Sequence, residues 1–69
     1  MSDAARACEE LMDDMGLNAA TKHRVKTSGL AASRLYVLLR DSKDERPRRP
    51  GGYVWALVKK ELEGVAPPD

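Results

Sequence analysis

Arg46-Pro47-Arg48-Arg49-Pro50-Gly51-Gly52-Tyr53-Val54-Trp55-Ala56-Leu57-Val58-Lys59-Lys60-Glu61-Leu62-Glu63-Gly64 is the stretch on which the reading of this chain turns. It joins a basic, proline-stiffened approach to an apolar segment. Pro50 suits a first helical turn, where its missing N–H has no partner to lose. Val54, Leu57, Val58 and Leu62 recur at helical spacing, and Trp55 widens the stripe. Tyr53–Val58 alone could pass for a buried strand. The charged helix formers Lys59-Lys60-Glu61-Leu62-Glu63 follow without a turn signal, and they decide for a helix over 50–63. Gly64 is read as its left-handed end, and Pro67-Pro68 as a barrier to continuation, leaving 67–69 as a tail.

Working outward, residues 30–43 form the preceding helix. Ala31, Leu35, Leu38 and Leu39 make its stripe, with Tyr36 and Val37 on either side. A helix apolar around most of its circumference belongs at the centre. Its partner is the Trp55 helix, so Leu38 and Leu57 are expected in the core and Trp55 with them. Residues 41–50 then form a long basic loop. Residues 18–28 read as a short helix capped by Asn18, with Val25 its only large aliphatic residue and Gly29 its end. The first helix, 2–15, starts at Ser2 and stops at Gly16. It contributes Leu11, Met12 and Met15, and Leu17 folds back on its last turn. The sum is an all-α fold, a small bundle of three to four short helices.

Sixty-nine residues make one small domain with marginal stability. The single cysteine, Cys8, offers no internal disulfide, and with His23 it is too little for zinc. His23 reads as a plain surface residue. A lone thiol fits a reducing cytoplasm, and nothing resembles a signal peptide or a membrane span. No catalytic set, glycine-rich phosphate loop or metal cluster is present in the sequence, so no cofactor and no enzymatic activity are expected.

Charge is balanced in total, at +1, but not in distribution. Residues 1–15 carry five acidic side chains against Arg6, while residues 22–49 carry nine basic against three acidic. A basic middle points to a localised anionic partner. Asp13 and Asp14 read either as a solvated face or as partners of that middle, within one chain or across a homodimer. Two sets of residues bear on binding. Lys22, Arg24, Lys26 and Arg34 flank Gly29, and a helix-turn-helix reading would start a recognition helix at Ala31–Arg34. An ordinary bundle corner explains the same spacing. Arg46, Arg48 and Arg49 precede Tyr53, a pattern that can track phosphates and stack an unpaired base. Tyr53 in the core is the alternative. Gly51-Gly52 can present N–H groups to a phosphate, although a helix start alone also accounts for them.

Pro50-Gly51-Gly52-Tyr53-Val54-Trp55-Ala56-Leu57-Val58-Lys59-Lys60-Glu61-Leu62-Glu63-Gly64 resembles the proline–glycine–aromatic helix start near the C-terminus of plasmid replication initiators of the repABC type. More loosely, it is similar to the last helices of DnaD-like primosomal and phage replisome-organiser proteins. It departs from them in having Arg49-Pro50 where Asn-Pro is usual, and Trp55 where a polar residue is common. The resemblance implies a replication context. With the basic middle, it gives a small non-catalytic nucleic-acid-binding or accessory module. Its partner is nucleic acid, DNA ahead of RNA, or a replication protein, with no membrane. The expected binding residues are Lys22, Arg24, Lys26, Arg34, Arg46, Arg48, Arg49 and Tyr53. A helical protein-interaction module, homodimeric in one version, and a helix-turn-helix regulator are the alternatives.

Overall fold

Cys8 and Met12, Leu35 and Leu39, and Val54 and Val58 are three pairs of apolar side chains spaced four residues apart, and all six are buried. That spacing puts each pair on one helical face. The pairs belong to three of the four helices in the computed structural model, which describes residues 3–65. The helices are α1 (Asp3–Asp14), α2 (Ala19–Lys26), α3 (Ala32–Glu45) and α4 (Pro50–Val65), with no strand among the described residues. The fold is the all-α bundle that the stripes predict. α3 is central, packed against α1 and α4, and α2 rests on α4. Val25 from α2 and Leu17 from the first corner complete the core.

The corners follow from their residues. Gly16 takes a φ of 76°, and Leu17 N–H donates to Met12 C=O at 3.0 Å, which seats the Leu17 side chain in the core. Asn18 Oδ1 accepts the Thr21 N–H at 2.8 Å and caps α2. At the other end of α2, the Thr27 hydroxyl donates to His23 C=O and the Ser28 hydroxyl to Val25 C=O. Gly29, at φ 93°, then redirects the chain. The Ser2 cap and the Pro67-Pro68 stop lie outside the described residues.

Four features differ from the sequence reading. First, the basic loop is not 41–50 but only Arg46–Arg49, because α3 runs on to Glu45. Asp41 to Glu45 carries no breaker. Ser42 falls on the face of Leu35 and Leu39, is fully buried, and satisfies its hydroxyl on Leu38 C=O at 2.8 Å. Arg46, in the left-handed region at φ 51°, ends the helix, and Pro47 follows it. Second, Gly64 does not end α4, which continues to Val65. Glycine is a poor helix residue but not a forbidden one. Third, Leu38 and Leu57 are only half-buried, because the line along which α3 and α4 meet runs through Leu35, Leu39, Val54 and Val58. Fourth, Trp55 is half-buried at the edge of the core rather than inside it.

Candidate nucleic-acid interface

The charge separation along the chain is largely resolved inside the fold. Lys22 Nζ lies 2.6 Å from Asp13 and 3.6 Å from Glu9. Lys26 Nζ sits 3.0 Å from Glu9 Oε2, as an ion pair rather than an aligned hydrogen bond. Lys43 Nζ reaches Asp14 at 3.1 Å. Glu9, Asp13 and Asp14 of α1 are therefore matched to α2 and α3 within one chain. Asp13 and Asp14, unfavourable at a helix C-terminus, each gain a cation there. The electrostatics follow the contacts. The Lys26 ammonium, then Lys22, holds the Glu9 carboxyl below its ordinary value. The Asp13 hydrogen bond pushes the Lys22 ammonium above its own. Burial pushes the Cys8 thiol up, and its Sγ donates weakly to Ala32 C=O at 3.4 Å.

The basic residues around Gly29 do not converge. Arg34 is bound by Glu61 of α4, in an ion pair tying the start of α3 to the end of α4. Arg34 and Arg46 are about 18 Å apart along α3 at 1.5 Å per residue, so they cannot share one compact surface. Nor does α2 pack on α3 in the manner a recognition helix needs, since it rests mainly on α4. Arg24 goes elsewhere: its guanidinium stands 5.2 Å from the centre of the Trp55 ring. That stack was not legible in the sequence, because its two partners lie on separate helices. It explains how Trp55 is half-exposed without being an unprotected apolar face.

The end of the molecule around the α3–α4 connection is different. Arg46, Arg48 and Arg49 are exposed and make no ion pair among the described residues. Arg46 borders a crevice that also holds Asp14 and Asp44, so Arg48 and Arg49 are the less compensated pair. Arg49 C=O accepts the Tyr53 N–H at 2.9 Å, the first hydrogen bond of α4. An arginine in that cap position has no side-chain acceptor to offer the Gly51 and Gly52 N–H groups. Two oriented donors at the positive end of a helix thus lie beside the arginines. Gly51 packs near Thr21 of α2, and Trp55, one turn along, meets Arg24. Trp55 is six residues past Arg49, so Arg24 lies between one and two helical turns from the loop, roughly 9 Å along α4.

Tyr53 is 37% exposed. It lines an open groove of about 560 Å³ between α3 and α4, with Val37, Leu38 and Leu57. Its ring has apolar neighbours on that side instead of standing alone beside the arginines. The groove went unread in the sequence. The signal for it is Val37, which widens the α3 stripe; a wide stripe alone implies burial all round. No helix among the described residues is long and apolar enough to cross a membrane. Comparison with protein-family models, curated proteins and solved structures finds no match to the chain.

Proposed function

We propose that this chain is a small non-catalytic module that binds nucleic acid, DNA ahead of RNA, through the end of the bundle formed by Arg46–Arg49, Arg24 and the start of α4. A role in plasmid or phage replication is the context that the Pro50–Gly64 resemblance implies. The observation that carries the binding reading is the contrast among the cations. Lys22, Lys26, Lys43 and Arg34 are matched to carboxylates on neighbouring helices, while Arg48 and Arg49 stand exposed and unmatched among the described residues. Arginine is the side chain best shaped for phosphate oxygens. The uncapped N–H groups of Gly51 and Gly52 point the same way. Lys22, Lys26 and Arg34 then act in holding the bundle together, and Tyr53 is not required for phosphate contact.

The test is affinity against salt for labelled single-stranded and duplex DNA. Each phosphate contact adds close to one unit to the slope of log affinity on log salt. Arg48→Ala with Arg49→Ala should weaken binding at every sequence and reduce the slope by up to roughly two units. Lys22→Ala should leave the slope unchanged. Wild-type protein that binds neither form of DNA, nor RNA, at low salt defeats the proposal.

A further inference from the structure

Val37, 42% exposed, and Tyr53 are the large hydrophobic side chains most open to solvent among the described residues, and both line the α3–α4 groove. Leu38 and Leu57 form the rest of its apolar centre. The charges on its rim are sorted. α3 and α4 run antiparallel, as the Arg34–Glu61 pair and the four-residue connection require. Asp41 lies one turn from Val37 and Leu38 toward the connecting loop, and Glu45 lies one turn further. Lys60 lies one turn from Leu57 in the opposite direction. Arg34 at that far end is already matched by Glu61, whereas Asp41, Glu45 and Lys60 make no ion pair among the described residues. The groove thus has an acidic end, an apolar middle and a basic end.

We propose that this groove takes the same groove of a second copy of this chain, about a two-fold axis through the Val37–Leu57 region. Such an axis reverses the groove's direction, so the acidic end of each copy faces the basic end of the other. Lys60 then meets Asp41 and Glu45 across the axis twice, and the four apolar residues of each chain cover those of its partner. Gly64 lies at the far end of the groove, inside a helix, with open space where a Cβ would be. This dimer differs from one joining the acidic α1 to the basic middle, because those charges are used within the chain. It also gives a domain of this size a source of stability that its own core lacks. The inference is independent of nucleic-acid binding, which rests on the loop arginines.

The experiment is sedimentation equilibrium, with thermal melting as a second readout, from about 1 μM to about 1 mM protein. The wild-type chain should pass from monomer to dimer in that range, and its melting temperature should rise with concentration. Val37→Glu buries an unmatched charge and should weaken the dimer at least about tenfold. Lys60→Glu places like charges together and should weaken it by about tenfold or more. Adding Asp41→Lys and Glu45→Lys to Lys60→Glu reverses both ends and should restore association. Circular dichroism at the lowest concentration controls for folding. A wild-type chain that stays monomeric throughout overturns the proposal, including where a foreign protein occupies the groove instead. So does a dimer indifferent to Val37→Glu, or a reversed variant no tighter than Lys60→Glu alone.

Discussion

Leu39→Ala against Leu57→Ala separates the core that the structure shows from the one the stripes imply. Leu39 is fully buried in the central helix, between the α1 and α4 contacts. Truncation removes the isopropyl end of the side chain, three buried carbons, roughly 2–3 kcal/mol at about 0.8 kcal/mol per buried carbon. The cavity left behind adds to this, within the ~2–5 kcal/mol range for such changes. A domain this small has only ~3–5 kcal/mol in total. Leu39→Ala should therefore be mostly unfolded at room temperature. Leu57 is half-buried on the groove wall, and water can fill the space its side chain leaves. Its truncation should cost about 1 kcal/mol or less. Urea titration followed by circular dichroism, at a dilution where the chain is monomeric, measures both. Leu57→Ala proving as damaging as Leu39→Ala would refute the placement of the core.

Two further outcomes test the electrostatics and the α4 start. Glu9 has a depressed folded value, so its pairing adds stability above the unfolded carboxylate value and loses it as pH falls through the folded one. Melting temperature should fall on acidification in that window, and Glu9→Gln should flatten part of the fall; an unchanged acid profile would show that the pairs with Lys26 and Lys22 do not form in solution. A Cβ on Gly51 would meet Thr21 at an ordinary 3.5 Å, and one on Gly52 would meet nothing within 4 Å. Alanine at either position should stabilise the fold by ~0.4–1 kcal/mol while weakening DNA binding, if the N–H groups there approach a phosphate. A double variant that is more stable and binds as tightly as wild type would remove those groups from the site.

The helix count, the corners at Gly16 and Gly29, the Asn18 cap and the burial of Met12, Leu35, Leu39, Val54 and Val58 were legible, because each follows from local spacing or local backbone demand. What was not legible depends on how helices lie against one another. An apolar arc on α3 wide enough for two neighbours does not say which edge is left open, so Leu38 and Val37 looked more central than they are. Ser42 gave no apolar signal, although its hydroxyl is satisfied by its own helix. The last turn of α3 therefore carries no apolar stripe, and the loop reads longer in the sequence than it is. The resemblance at Pro50–Gly64 concerns one helix start and says nothing about where the other three helices pack.

The ion pairs also change what the basic middle can mean. A run of nine cations suggests one broad phosphate-binding face. The fold instead places the acidic α1 across two of the lysines on α2 and a third on α3, and pairs Arg34 with Glu61. Exposed pairs of this kind contribute little to stability one by one, within ~0–1 kcal/mol each. Their larger effect is on the field, since a matched lysine contributes little attraction beyond a Debye length of about 8–10 Å at physiological salt. Of the other five, Arg24 and Arg40 stand over the Trp55 and Tyr36 rings, and the three loop arginines, beside a helix terminus of the same sign, have neither a carboxylate nor a ring among the described residues. An anionic polymer meeting this surface would be held at that end of the bundle, which leaves the α3–α4 groove available to a second chain.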